Sequence, residues 1–167
     1  DSGTVVNITN AGDKISSDGR AVFADNGTTF VACNGSKIVY SNGTANTAFI
    51  TDADAPTNVS HVAFLDHYLI CNNVGTGKFH WCDFTSDSFS FSSLDFTTAE
   101  SNPDNLIALF VVRRTIVLMG SSTIEFYQNN GLSPFARLNG MEIGRGIMAK
   151  HAAVNVNGIL YFFDDKR

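Results

Sequence analysis

The sequence predicts an all-β fold of antiparallel four-stranded repeats that resemble β-propeller blades. Short runs rich in Val, Ile, Phe and Tyr alternate with tight polar breaks, and several breaks contain Asn-Gly. Runs of about four to eight such residues favour strands over helices, and Asn-Gly favours the type I′ turn of a hairpin. The pattern recurs about every 40 to 50 residues, a spacing typical of a propeller blade. A sandwich of repeated meanders is the alternative architecture.

The first two repeats are predicted near residues 21–50 and 61–96. In the first, "AVFA" leads through the break "DNGT" to "FVAC", and "NGS" then leads to "KIVY". In the second, "HVAFL" and "YLIC" flank the pair "DH", and "NNVGTG" precedes "KFHWCDF". The following "SFSFSSLDF" carries Phe89, Phe91 and Leu94 with serines between them. We expect it to form a fourth, outer strand with a polar face toward water.

The last two repeats are predicted near residues 105–128 and 151–167. "LIALFVV" and "TIVLMG" flank Arg113 and Arg114, and "AAVNV" and "ILYFF" flank the pair "NG". The two arginines therefore occupy the slot of a two-residue turn, which places them on a hairpin tip. The segment 129–146 between these repeats has the composition of a loop.

Bulk composition limits the function. The 167 residues are 44% hydrophobic and only 16% charged, and the net charge is −5. This balance predicts a folded domain and disfavours sequence-independent binding of DNA, which requires a basic surface. No apolar run approaches the ~20 residues of a membrane span. We interpret residues 1–167 as a single β-rich domain that is an internal fragment of a longer chain.

One group of residues has the chemistry of metal ligands. The three cysteines form no disulfide framework, which suits a reducing compartment. A bend after Cys71 would place that thiol opposite His80, with Cys82 on the same face and His67 nearby. The spacing matches no zinc knuckle, and Cys33 and Met119 occupy the slot of Cys71 in sister repeats. An apolar core position is therefore predicted there rather than a metal site.

No catalytic motif was found. "NNVGTGKF" lacks the first glycine and the Ser or Thr of a phosphate-binding loop, and "TDADAP" lacks the glycine and closing Glu of a calcium loop. We therefore predict a protein that is not an enzyme and needs no cofactor. Two alternatives stay open: a carbohydrate-binding or glycosidase-like propeller that uses Trp81, Tyr127 and paired carboxylates, and a protein-interaction propeller.

Residues 95–165 carry an ordered series of motifs: "AESNPD" before a hairpin, "LMGSSTIEFY", "SPFARLNG", "EIGRGIMAKHAAV" and the aromatic strand "LYFFDD". This series resembles the phage stabilisation protein family, the packaged-DNA stabilisation proteins or tail accessory factors of short-tailed phages. In the strand from Gly120 to Glu125, we expect the glycine to serve a bend and the carboxylate to be hydrogen-bonded at a blade edge.

The resemblance implies a non-enzymatic structural protein of the virion tail, assembled in the host bacterial cytoplasm. It would form a homo-oligomeric ring, part of a nozzle under the portal protein that retains packaged DNA and carries other tail proteins. DNA would pass nearby without tight sequence-specific binding, and no membrane would be involved. The candidate subunit contacts are the hairpin tip and the segment 129–146, and comprise Arg113, Arg114, Phe135, Arg137, Met141 and Arg145.

Overall fold

The computed structural model describes residues 12, 15, 19–43, 47–84, 88–99, 104–131, 134–164 and 166. These residues form three four-stranded antiparallel sheets and one two-stranded sheet, without any helix. The predicted all-β fold of antiparallel four-stranded repeats is confirmed. Within this described part of the chain, no helix has the length and apolar character needed to cross a membrane.

Each sheet is a meander, because strands adjacent in sequence are also hydrogen-bonded neighbours. The first sheet contains β1 (Val22–Asp25), β2 (Phe30–Cys33), β3 (Val39–Ser41) and β4 (Ala48–Phe49). The second contains β5 (Val62–Leu65), β6 (Tyr68–Asn72), β7 (Lys78–Asp83) and β8 (Ser90–Thr98). The third contains β9 (Leu106–Val112), β10 (Thr115–Gly120), β11 (Ile124–Asn129) and β12 (Phe135–Arg137). The last is the hairpin of β13 (Ala153–Val156) and β14 (Ile159–Phe162).

The expectation that 129–146 is a loop throughout was wrong, because this segment contains β12. Tyr127 pairs with Arg137 and Asn129 with Phe135, so β12 is the fourth strand of the third sheet. A strand of three residues is too short to show an alternating pattern in sequence, and its conformation depends on pairing with β11. The expected outer strand of the second repeat is present as β8. That the chain is one domain within a longer protein stays a prediction.

The hairpin turns lie where the polar pairs predicted them. Val112 pairs with Thr115, and Val156 pairs with Ile159, so each turn has two residues. At the second of these turns, Asn157 and Gly158 have φ values of 53° and 77°. Positive φ at both central positions is the property of a type I′ turn, which Asn and Gly adopt at low cost.

Successive sheets pack face to face through three apolar junctions. The first junction joins the first and second sheets and includes Val31, Cys33, Ile38, Val62, Leu69, Cys71 and Cys82. The second junction joins the second and third sheets and includes Ile70, Phe79, Trp81, Leu109, Ile116, Leu118, Tyr127 and Phe135. The third junction joins the third sheet to the last hairpin through Val117, Met119, Ile124, Ile147, Leu160 and Phe162. Burial of these apolar faces is the main source of stability.

Two carboxylates stabilise the third sheet. Glu125 is 1% exposed, and its Oε2 lies 3.0 Å from Nε of Arg137 on the paired strand β12. Near the end of β10, Oδ2 of Asp104 accepts hydrogen bonds from the backbone N of Ser122, at 2.7 Å, and from the Ser122 hydroxyl, at 2.9 Å. A Cβ at Gly120 would collide with the Asp104 carboxylate. Both members of the "G-x-x-x-x-E" strand therefore have structural roles.

A buried polar network connects the second sheet to the segment before β13. Oδ1 of Asn72 accepts hydrogen bonds from the backbone N of Ser60 and of His61, at 3.0 and 2.8 Å. Nδ2 of Asn72 donates to Oγ of Ser60 at 2.9 Å, and this hydroxyl lies 3.1 Å from Nδ1 of His61. Burial, helped by the charges of His151 and Lys150 and opposed by a hydrogen bond to the Lys150 backbone, lowers the pKa of His61 to about 4. His61 is therefore neutral near pH 7.

The free energy of unfolding should decrease as the pH is lowered, because of His61. Its pKa in the folded chain is about 4, below the ordinary value of 6.5, so the unfolded chain takes up the proton first. The stabilisation is fully present above about pH 6.5 and is lost as the pH falls toward about 4. We expect a loss of about 3 kcal/mol in the free energy of unfolding over this interval. Urea denaturation of His61→Gln should show a shallower pH dependence than wild type, whereas the exposed-site control His67→Gln should keep the wild-type slope. Equal slopes in wild type and His61→Gln would contradict this assignment.

Removal of Arg137 should destabilise the third sheet strongly. Arg137→Met leaves the Glu125 carboxylate buried without its ion-pair partner, and we expect a loss of about 3 kcal/mol in the free energy of unfolding. Arg145 forms an exposed ion pair with Asp164 at 2.9 Å, so Arg145→Met is the control and should cost less than about 1 kcal/mol. Urea denaturation measures both. A cost for Arg137→Met no larger than that of the control would contradict the structural role of this pair.

Candidate assembly surface

The two arginines of the sequence lie on a hairpin tip, as predicted. Arg113 and Arg114 have φ values of 47° and 67°, a left-handed conformation that costs about 1–2 kcal/mol for a residue with a Cβ. Nη2 of Arg114 lies 2.6 Å from Oδ1 of Asp66, although the Arg114 side chain is 75% exposed. Oδ2 of Asp66 also accepts a hydrogen bond from Nδ2 of Asn129 at 2.8 Å. The tip of the third sheet is therefore tied to the turn of the second sheet.

Arg113 contacts the turn on the other side. A Cβ at Gly158 would lie 2.7 Å from Nε of Arg113, so the arginine side chain lies directly over the β13–β14 turn. Thus Arg114 reaches the second sheet and Arg113 reaches the last hairpin. We call the turns at 66–67, 113–114 and 157–158 the tip cluster.

The other candidate contact residues differ in their environments. Phe135 is 3% exposed and packs in the second junction, so its ring contacts its own chain and not the surface. Arg137 is committed to Glu125 and Glu142. Met141 is 54% exposed, and Arg145 is also exposed. A role in contacts between subunits therefore stays a prediction for the exposed residues of the set, which are Arg113, Arg114, Met141 and Arg145.

Arg113 and Met141 line one apolar groove. This groove has a volume of about 370 Å³ and lies between the third sheet and β14, with Phe126, Ile143 and Leu160 among its walls. Apolar grooves with few polar groups are common binding surfaces for other chains. Arg113 and Met141, two of the subunit-contact residues predicted from the sequence, therefore lie on the same groove. Arg145 is paired with Asp164 instead.

An apolar surface that sequence reasoning missed covers one face of the last hairpin. We call it the end face, and it consists of Val154, Val156, Ile159, Tyr161 and Phe163, which are 47–72% exposed. Val154 pairs with Tyr161 and Val156 with Ile159, so these side chains lie together. The opposite face packs into the third junction through Leu160 and Phe162. The sequence "AVNVNGILYFF" contains a sign of this surface, because both faces of the strand pair carry apolar residues. Such a pattern indicates a sheet that is buried on both sides.

The first sheet also leaves aromatic residues uncovered. Phe23 and Phe30 are 60% and 39% exposed, and their rings stack with centroids 5.5 Å apart. The series of packed sheets therefore presents uncovered apolar side chains on its first and on its last sheet.

The Cys/His group has the predicted register but not the properties of a metal site. Cys71 pairs with His80 across β6 and β7. Burial raises the pKa of Cys82 to about 12 and raises that of Cys71 well above its ordinary value, so both thiols are protonated at neutral pH. The His80 ring packs on Phe96 with centroids 5.6 Å apart. Among the described residues, no three His, Cys, Asp or Glu side chains are grouped so as to hold a metal ion.

Of the residues considered for a glycan site, Trp81 and Asp95 line one open groove, but Tyr127 and Glu125 are not part of it. Trp81 and Tyr127 are buried in the second junction, and the Glu125 carboxylate is paired with Arg137. Glu100, another candidate carboxylate, lies outside the described residues. Among the described residues that line the Trp81 groove, Asp95 is the only carboxylate, so no carboxylate pair of the glycosidase type lies beside Trp81 there.

Successive antiparallel meanders packed face to face define the chain as a repeat protein of the β-propeller class. The family model for phage stabilisation proteins, described as "Bacteriophage P22 Gp10, beta-propeller", matches residues 2–167. The chain belongs to this family, and it is a phage structural protein. The resemblance seen in residues 95–165 is thereby confirmed and extends over nearly the whole chain.

Solved structures of other proteins share the fold. Hsv2 of Kluyvelomyces marxianus superposes with a TM-score of 0.53 at 15% identity, over 86% of this chain and 43% of its own. The computationally designed Ika4 protein superposes with a TM-score of 0.50 at 13% identity, over 90% of this chain and 96% of its own. This chain thus spans less than half the length of the Hsv2 chain, and at such identities the likeness concerns the fold alone. None of the curated proteins matches the sequence.

The contact between Arg113 and the neighbouring turn can be tested with two glycines. Gly158 and Gly131 have similar φ values of 77° and 74°, but only Gly158 lies against Arg113, whereas Gly131 faces open space. Gly131→Ala should therefore cost only the backbone strain of about 1–2 kcal/mol. Gly158→Ala should cost about 1 kcal/mol more, because the new methyl displaces the arginine.

The measurement is urea denaturation of both alanine variants in the wild-type and Arg113→Ala backgrounds. In the Arg113→Ala background, the extra cost of Gly158→Ala should disappear. An extra cost that persists without the arginine would show that the close approach of Arg113 to the last hairpin is not what constrains Gly158.

Proposed function

We propose that this chain is part of a structural virion protein that forms a multimeric ring, a nozzle beneath the portal that retains packaged DNA in the phage tail. The observation that carries the proposal is the family match over residues 2–167. The net charge of −5 supports it, because an acidic protein does not grip the DNA that passes it. The three buried, unpaired cysteines are compatible with assembly in the reducing host cytoplasm.

We propose that the end face packs against a further sheet of the same kind, supplied by the remainder of the domain in the longer protein. Each of the three internal junctions joins two apolar sheet faces, and the end face continues that series with Val154, Tyr161 and Phe163 exposed. Uncovered apolar side chains on this scale are costly in water, whereas a sheet with an apolar inner face would bury them.

We propose that copies in the ring contact one another at the exposed residues of the tip cluster and at the apolar groove beside it. Arg114 is held in a defined position by Asp66, and Met141 and Arg113 line the apolar groove. Exposed arginine and methionine are enriched in protein interfaces, where arginine can bond carboxylates through two hydrogen bonds. The backbone strain at Arg113 and Arg114 supports a functional reason for arginines in this turn.

Co-sedimentation of the longer protein with purified portal rings of the same phage tests this function. The expected result is a stable shift of the protein into a larger, multi-copy complex. Arg114→Ser combined with Met141→Ser should weaken the complex by about tenfold or more, since interface residues of this type contribute more than 1 kcal/mol. Lys37→Ser, at an exposed site in the connection between β2 and β3, should leave the complex unchanged. A protein that stays monomeric beside intact rings would contradict portal docking.

A further inference from the structure

A cavity rich in basic groups lies where the first sheet, the third sheet and the last hairpin meet, beside His61. Its volume is about 250 Å³. The basic side chains that line it are Arg20, His61, Lys150 and His151, and its other walls include Phe23 and Phe110. No carboxylate is among the described residues that line this cavity.

The positive charge of the cavity is not neutralised within the described part of the chain. None of the ion pairs found there includes Arg20 or Lys150. Nε2 of His151 is buried and has no hydrogen-bond partner among the described residues. Buried polar atoms are normally bonded, so this ring nitrogen, when protonated, is available to donate to a ligand in the cavity.

His61 forms part of the wall but is not a free ligand. Its ring nitrogens are committed to Ser60 and to the Lys150 backbone, and its ring lies 5.8 Å from that of His151. On the opposite side, the ring of Phe110 packs 5.8 Å from His61. The Cys33 thiol near Lys150 is protonated, because burial raises its pKa to about 12. The groups able to donate to a ligand are therefore Arg20, Lys150 and His151.

We propose that this cavity binds a small oxyanion of the phosphate or sulfate class through Arg20, Lys150 and His151. A tetrahedral oxyanion presents several acceptor oxygens, which match a guanidinium, an ammonium and an imidazole N–H. The partly enclosed, aromatic walls strengthen these interactions relative to water. One bound anion would join Arg20, two residues before β1, to Lys150 and His151, which lie shortly before the last hairpin.

Binding should be coupled to protonation of His151. Burial lowers the pKa of His151, and the charges of Lys150 and Arg20 lower it further. A bound anion favours the charged form of the ring, so the complex takes up a proton. The affinity should therefore rise as the pH falls. Sulfate is the suitable probe, because its own charge is constant over this range.

The test is isothermal titration of the chain with sodium sulfate, with sodium chloride added to keep the ionic strength constant. We expect one site per chain, with an affinity at least about threefold tighter near pH 5.5 than near pH 7.5. Arg20→Gln and Lys150→Gln should each weaken binding by about tenfold or more. His151→Gln should remove the pH dependence. Lys37→Gln, another exposed basic residue, is the matched control and should bind as wild type does.

Several results would overturn the proposal. These are absence of saturable sulfate binding, equal weakening by Lys37→Gln and Lys150→Gln, and a pH dependence that survives His151→Gln.

Inorganic phosphate and a short single-stranded oligonucleotide distinguish the sources of the anion. The proposal expects phosphate to compete with sulfate, and binding of the oligonucleotide alone would contradict a small-anion site. Circular dichroism verifies that each variant is folded. Portal co-sedimentation tests the proposed function separately, because its result does not depend on sulfate binding.

Discussion

Burial on both faces of the second and third sheets is the constraint on which the rest of this structure depends. In β6, Leu69 and Cys71 pack into the first junction, whereas Ile70 packs into the second. In β10, Ile116 and Leu118 pack on the second sheet, and Val117 and Met119 on the last hairpin. A sheet with two apolar faces needs a neighbour on each side, so the sheets must stack in series. The same constraint explains why the last hairpin, which packs on the third sheet through one face, exposes apolar side chains on its other face.

Polar groups then fix how the stacked sheets are positioned. Apolar packing is not directional, whereas the buried amide of Asn72 and the ion pair between Glu125 and Arg137 each accept only one geometry. At the tips of the hairpins, the arginine pair performs a similar role between sheets, with Arg114 bonded to Asp66. Such directional contacts resist sliding of one sheet over another.

Local patterns predicted much of the fold but little of what connects the sheets. The turn at Arg113 and Arg114 and the pairing of Cys71 with His80 could be predicted, since a hairpin register follows from its turn. The strand β12 could not, because its three residues form a strand only by pairing with β11. The link from Arg114 to Asp66 was also missed, since it joins turns of different sheets and leaves no periodic signal. For the same reason, the loop-like composition around Arg137 predicted a surface contact residue, although Arg137 pairs with the buried Glu125.

Hydroxyl-radical footprinting of the end face is the most direct test of this account. The reactivity of Tyr161 would be compared between the 167-residue chain and intact phage particles that contain the proposed longer protein, with the buried Tyr127 as an internal reference. The account predicts that Tyr161, which is 55% exposed here, is oxidised readily in the isolated chain and becomes as protected as Tyr127 in the particle. A Tyr161 that stays equally reactive in both states would contradict the claim that the end face is a covered sheet junction.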